Sequence, residues 1–427
     1  MEPLDRGTVP KSDPTASGAL ADRRQETGTA TALPLRIRGL TRHQGISMFA
    51  ILVVMWVVLG FMSPYFFTVD NIFEITLQMA VIGIIAAGET FVILSGGIDL
   101  SVGSVFACSA VVGGLVLQST GILPLALAAT LACGALLGCV NGLLITRLLV
   151  PPFIATLGMM GVARGLALIL TGGVPIYGLN ETFRFIGQGK LLGIVPVPTV
   201  IVAVVFIVGA IIANYSRFGR FVYAIGSNAE AARLSGIKVG RVTLGVYVIC
   251  GLLAGLASIV EAGRLGIVQP AGGNGYELLA IGAVVVGGAS LFGGEGSVLG
   301  VIIGAAIISV MKNGLVFAGI SSYYHDPILG CVLVIAVTYD VIRRGDPKQR
   351  RWGVAVLAAL LAAIAASLFY FTTFEKAAQQ PSPTPAPVAG GGSPAAATLP
   401  AATPTSPKVL PTPTPVPHPP TPALSTS

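Results

Sequence analysis

Two carboxylates stand where a hydrophobic chain has least use for charge. Glu89 lies in the run GETFVIL and Asp99 in SGGIDLSVGS, both beside apolar segments long enough to cross a bilayer. A carboxylate at membrane depth is costly unless hydrated, paired or hydrogen-bonded, so such residues mark either an aqueous path or a satisfied contact between helices. For Asp99 and Ser101 a third role is open, that of capping the next helix. Asn141 joins Glu89, Asp99 and Ser101 as the fourth polar candidate for a translocation path. Arg164, Lys312 and Asp340 fall near the ends of expected helices, where snorkelling or capping accounts for them.

Catalytic chemistry finds little to work with. The three His and five Cys show no metal-ligand spacing, and Cys108, Cys133, Cys139, Cys250 and Cys331 all sit in apolar runs as buried free thiols. No nucleophile–base set is visible. No G-x-x-x-x-G-K-[ST] loop occurs, so the chain itself is not expected to hydrolyse ATP. No catalytic, metal-binding or cofactor-binding residue is assigned.

The elements that must position these residues follow from composition. Of 427 residues, 54% are hydrophobic and 10% charged, and the mean hydropathy is +0.85. A soluble protein carries roughly a quarter charged residues, whereas a lipid-facing surface needs few. Apolar runs recur at close to the ~20 residues that cross a hydrocarbon core. They predict spans near 45–62, 72–94, 102–117, 123–145, 153–170, 199–213, 243–260, 278–291, 297–316 and 327–342. The expected fold is therefore an all-α polytopic membrane helix bundle of about ten core spans, with an additional C-terminal span near 352–374.

Charge sets the expected topology. The formal net charge is +7, but Lys and Arg cluster in a few short loops, a pattern of membrane orientation and not of nucleic-acid binding. With the N-terminus inside, 18 of the 25 basic residues fall on inner segments. Four segments result: a cytoplasmic tail (1–44), a ten-span domain (45–344), a basic linker with the extra span (345–376) and a Pro/Thr/Ala-rich tail (377–427) too poor in apolar residues to fold. Glycines spaced by four, at Gly134, Gly138 and Gly142, at Gly296, Gly300 and Gly304, and at Gly251 and Gly255, predict helices packed backbone to backbone.

The inner loop 214–241 holds a second candidate site. Ser227 and Glu230 have capping-box spacing, Asn228, Ala231 and Arg233 lie in the short helix they would begin, and Gly236 is its stop. A helix of two turns is far below the ~12–15 residues at which an isolated helix is marginal, so it must dock, on its own domain or on a partner.

Taken together, the runs GGIDLSVGS, NGLLITRLLVPPFIATLGMMGVARGLAL, RFGRFVYAIGSNAEAARLSGIKV and YELLAIGAVVVGGASLFGGEGSVLG, with NGLVFAGI and AVTYDVIRR, make residues 45–344 resemble the permease subunits of bacterial ribose-type ABC importers. These belong to the larger group that includes branched-chain amino-acid permeases. The resemblance implies an importer permease in the bacterial inner membrane, working as a homodimer in lipid. It implies a cytoplasmic ABC ATPase, binding ATP and Mg, coupled through Ser227, Asn228, Glu230, Ala231, Arg233 and Gly236. It also implies an extracytoplasmic solute-binding protein, for which the outer loop 171–198, with Asn180, Glu181, Arg184 and Lys190, is a docking surface. Ribose or another monosaccharide is the expected cargo. Leu279 departs from the acidic residue that sugar-transporting members suggest, and Glu89 from an uncharged one. An ion-coupled carrier working through Glu89 or Asp99, and an ABC permease for nucleosides or branched-chain amino acids, stay open as alternatives.

Overall fold

The computed structural model describes residues 34–344 together with residue 362. All of these lie in one unit, Met1–Ala366. Apart from residue 362, the expected eleventh span and the Pro-rich tail fall outside the described residues, as do residues 1–33.

Helices account for most of the described chain. They are α1 (Pro34–Met62), α2 (Val69–Leu94), α3 (Val102–Thr120), α4 (Leu123–Arg147), α5 (Pro152–Thr171), α6 (Glu181–Gln188), α7 (Val197–Tyr215), α8 (Arg217–Ser227), α9 (Ala229–Leu234), α10 (Val239–Leu265), α11 (Tyr276–Val286), α12 (Val298–Phe317) and α13 (His325–Arg344). A two-residue hairpin, β1 (Lys190–Leu191) with β2 (Val195–Pro196), stands between α6 and α7. Proline in the first turn of α4, α5 and α7 places its missing N–H where no intrahelical bond is lost.

Among the described residues seven helices, α2, α3, α4, α5, α7, α10 and α12, are long and apolar enough to cross a membrane, and three shorter apolar stretches lie at 48–62, 276–286 and 325–335. The bundle is all-α as expected, but the eighth expected span is not one helix. Its residues form α11, whose eleven residues reach ~16 Å of a ~30 Å core. A turn with left-handed Gly288, Gly293 and Gly294 follows. Irregular backbone at this depth is tolerated because protein covers it. The first helix also starts earlier than expected, inside the segment assigned to the tail.

Burial ranks the helices. In α2, 83% of the most apolar window is buried, against 28% in α4, α5 and α7, so α2 is central and the other three face outward. The glycine stripes explain how a bundle with few interior polar bonds holds together. Gly134, Gly138 and Gly142 of α4 lie against α10, where a Cβ on each would strike Gly251 O, Tyr247 O and Leu244 respectively. The two expected stripes are thus the two sides of one interface. In α12, Gly300 and Gly304 lie against Gly287 and Ala283, whereas Gly296 precedes the helix because extended Ser297 is its N-cap. The five cysteines are free, Cys108 and Cys250 fully buried and the others half-buried.

A pair of buried amides pins α12 to α2. Asn71 Nδ2 donates to Asn313 Oδ1 at 3.2 Å and to Phe66 O at 2.8 Å, and Asn313 Nδ2 donates to Asn71 Oδ1 at 2.7 Å. Asn313→Leu strands the Asn71 amide, which costs about 1–3 kcal/mol when a buried polar group loses its partner. We expect a lower melting temperature for purified Asn313→Leu than for the double variant Asn71→Leu/Asn313→Leu, in which neither amide remains.

Candidate functional site

The four polar residues singled out for a path converge on one buried turn. The chain leaves α2 at Leu94, folds back through 95–101 and begins α3, returning Asp99 to the level of Glu89 in the α2 helix. The Asp99 amide donates to Glu89 Oε1 at 3.0 Å, and the Cys250 thiol of α10 lies 3.7 Å from Glu89 Oε2. Asp99 Oδ1 accepts from the Ser101 amide at 2.8 Å and from its hydroxyl at 2.6 Å, while Asn141 Nδ2 of α4 donates to Ser101 Oγ at 2.9 Å. Thr156 of α5 donates to Ile98 O at 3.3 Å. Glu89, Asp99, Ser101 and Asn141 are all 0–1% exposed.

The four residues knit α2, α4, α5 and α10 around the turn, the satisfied contact between helices that their sequence left open beside a path. One expectation is corrected. Ser101 is the N-cap residue of α3 by position, but its backbone is already helical and its side chain makes no capping bond, because the hydroxyl is committed to Asp99. Asp99 bonds Ser101 and not the first turn of α3.

The second site lies at the end of α2. Its helix is shorter than expected and capped by a different residue. Ser227 closes α8, its hydroxyl donating back to Tyr223 O at 2.9 Å, and Asn228 is the cap of α9, accepting from the Ala231 amide at 2.9 Å. Asn228 is the better cap here because its extended backbone aims the side chain along the new helix axis. Gly236, with φ +84°, ends the element as expected. Ala232 is buried, Leu234 is 82% exposed, and Glu230 and Arg233 form an exposed pair at 3.5 Å.

α8, which the sequence reading did not separate from the loop, is the platform beneath α9. Its Val222 and Ile225 are buried, and its end touches the polar turn's own backbone. Gly294 N donates to Leu94 O at 3.0 Å, and Gly226 sits so close to Leu94 O and Gly294 N that no side chain fits. Gly293 meets Gly96 and Gly226 in the same way. The Tyr223 hydroxyl donates to Gly296 O at 3.0 Å, and burial raises this phenol above its usual range, keeping it protonated. The short helix, the turn holding Asp99 and the glycine-rich turn after α11 therefore share one junction.

At the opposite end of α10 lies a charged network. Arg264 donates to Glu261 through Nε at 2.8 Å and Nη2 at 2.9 Å, and to Glu74 of α2 through Nη1 at 2.6 Å; the Tyr276 hydroxyl donates to Glu261 Oε1 at 3.2 Å. Arg164, expected to snorkel, instead stands inside α5 and bonds Asn274 in the turn before α11. Lys312 lies within α12, 6.0 Å from the Tyr276 ring centre, because α11 brings that ring beside it. The Asp340 side chain lies outside the described residues. In the loop 171–198, Asn180 caps α6 by accepting from Phe183 N at 2.9 Å, Arg184 reaches Gln188 at 3.4 Å, and Lys190 stands 4.3 Å over the Phe73 ring. Glu261 was missed on the sequence, although a carboxylate three residues before Arg264 in an apolar run carries the same signal as Glu89. Among the described residues no three His, Cys, Asp or Glu gather as a metal set.

Comparison with known proteins supplies independent context. The family model described as branched-chain amino acid transport system / permease component matches residues 71–337. The ribose import permease protein of Escherichia coli (strain K12) is 44% identical over 298 residues, which cover 69% of this chain and 92% of that protein. Its counterpart in Bacillus subtilis (strain 168) is 45% identical over 301 residues, covering 70% and 92%. The D-allose transport system permease protein of Escherichia coli (strain K12) is 37% identical over 295 residues, covering 68% and 90%. No solved structure matches the chain.

Proposed function

This chain belongs to the branched-chain amino acid transport system / permease component family, and from that premise we propose how it works as the permease of an ABC importer. It is the multi-pass membrane subunit of an importer for ribose or another monosaccharide, a transport component and not an enzyme. Energy comes from a cytoplasmic ATPase that binds ATP and Mg, docked on the exposed face of α9 formed by Leu234, Glu230 and Arg233. A solute-binding protein delivers sugar at the far end of α10, where α6 and the loop 171–198 lie. Two copies of the chain assemble, with the N-terminus in the cytoplasm.

One observation carries the coupling role: a six-residue helix, too short to persist alone, is anchored by buried Ala232 and the Asn228 cap while its Leu234 side chain stands out. A rigid element on a shared backbone junction passes movement to Leu94 and the turn behind it, where a flexible loop would absorb the motion. The Glu89 cluster, buried and internally bonded, serves this turn as a brace.

The test is Leu234→Asp in the full chain, reconstituted with its ATPase and binding protein. Leu234 touches little of its own domain, so the stability of the fold should stay within the about ±0.5 kcal/mol typical of surface changes. Loss of an interface anchor typically costs about 2 kcal/mol or more, so ATPase affinity and ribose uptake should both fall by more than about tenfold. Wild-type ATPase binding by this variant would refute the docking face.

A further inference from the structure

A cavity of about 200 Å³ opens between α3, the outer end of α10 and the turn 266–275, on the side of the bundle away from α9. Ser258, Glu261 and Leu265 of α10 line it. At 1.5 Å per residue they stand roughly 30–40 Å from Val239, where α10 leaves the α9 element. We propose that this cavity is the site at which the permease takes up one neutral monosaccharide after delivery, an inference that rests on the transport reading above and extends it to named residues.

The size fits the cargo class. At about 200 Å³ the space has room for a sugar ring. The wall has the make-up that a sugar requires. Phe106 and Tyr276 meet edge to face with ring centres 5.2 Å apart, which leaves an aromatic surface for the C–H face of a pyranose or furanose ring. Gln269, exposed in the glycine-rich turn, offers an amide that both donates to and accepts from hydroxyls, and Asn274, whose carbonyl oxygen is held by Arg164, offers its amide N–H groups as donors. A mostly apolar wall with a few convergent polar groups is the usual form of a small-molecule site.

Charge decides the class of ligand. Among the described residues that form the wall, Glu261 is the one charged group, and both its oxygens are held by Arg264. An amino acid would bring a carboxylate and an ammonium to a wall whose one charge is already paired, with the Arg164 guanidinium tied to Asn274 behind it, a desolvation cost that a neutral polyol avoids. Shape is held by backbone: a Cβ on Gly103 would strike Gly273 O and approach Glu277 Oε2 at 2.5 Å, so α3 and the turn can close this tightly only on glycine.

The experiment uses the full chain in proteoliposomes with its ATPase and saturating ribose-loaded binding protein, and reads radiolabelled ribose delivered per ATP hydrolysed. Tyr276→Leu removes the aromatic face; Gln269→Ala removes an amide from an exposed turn residue that bears no helix packing. In both, the ratio of ribose to ATP should fall at least about tenfold, the scale expected when contacts made to a moving substrate are lost. An unchanged ratio in both variants, including the case where uptake and hydrolysis fall together, overturns the site. Wild-type delivery of leucine in place of ribose overturns the ligand class. Wild type that delivers no monosaccharide at all defeats the transport reading itself, and that outcome is distinct from variants that match an active wild type.

Discussion

Gly138→Leu should leave almost no folded protein, whereas Gly158→Leu should be purified in wild-type yield. A Cβ at Gly138 would land on the Tyr247 carbonyl of α10, backbone against backbone, while a Cβ at Gly158 of α5 meets nothing within 4 Å. Overpacking a core usually costs about 1–3 kcal/mol because neighbouring side chains swing aside. Here there is no side chain to swing. The helices must separate, and with them the flanking contacts of Gly134 with Gly251 and of Gly142 with Leu244. Close packing of small residues is also the main source of attraction between helices in lipid, where burial of apolar surface gives little. The measurement is monodisperse yield and melting temperature in detergent, and equal values for the two variants would contradict the α4–α10 interface.

The second large effect concerns Glu89. Glu89→Leu should lower ribose uptake by about tenfold or more and also lower the melting temperature. It removes the acceptor of the buried Asp99 amide, a loss worth about 1–3 kcal/mol. It also loosens the turn 95–101, which meets the α8–α9 element at Gly226. Glu89→Gln keeps a carbonyl oxygen in the same place and should retain uptake within about twofold of wild type. The same pair of variants separates an ATP-driven importer from an ion-coupled carrier. A carrier that moves protons through Glu89 would lose coupling in Glu89→Gln, and its uptake would respond to collapse of the proton gradient. Uptake and ATP hydrolysis measured together, with and without an imposed gradient, give the answer.

These variants address two ends of one mechanical chain. α9 stands on α8, α8 abuts Leu94 and the turn after α11 through Gly226 and Gly294, and Glu89 holds the turn after Leu94 to the centre of the bundle. α10 runs from this region to the Glu261–Arg264–Glu74 network at its far end. In the proposed mechanism a displacement at α9 reaches the cavity lined by Glu261 and Tyr276 through these helices.

Much of this was legible in residue order alone. Apolar run lengths located the seven described helices that are long and apolar enough to cross a membrane to within five residues at either end, from 123–145 for α4 to 297–316 for α12, because a bilayer-length helix is a local property of hydropathy. The Gly134 and Gly251 stripes announced close packing, since only glycine repeated on one face serves that purpose, but not that each was the other's partner. Apolar residues continue past the end of α11 at Val286, so hydropathy extends the expected span to 291, while the glycine-rich run 287–296 itself marks irregular backbone. The Ser227–Glu230 spacing pointed to a cap, and φ and ψ at Asn228, which depend on where α8 ends, moved the cap by one residue. Tertiary structure alone decided that Glu89, Asp99, Ser101 and Asn141 meet at one buried turn, and that Phe106 meets Tyr276 edge to face in the wall of one cavity. Those contacts join residues far apart in the chain. Their energy depends on which helices are neighbours, and no local pattern of polarity carries that information.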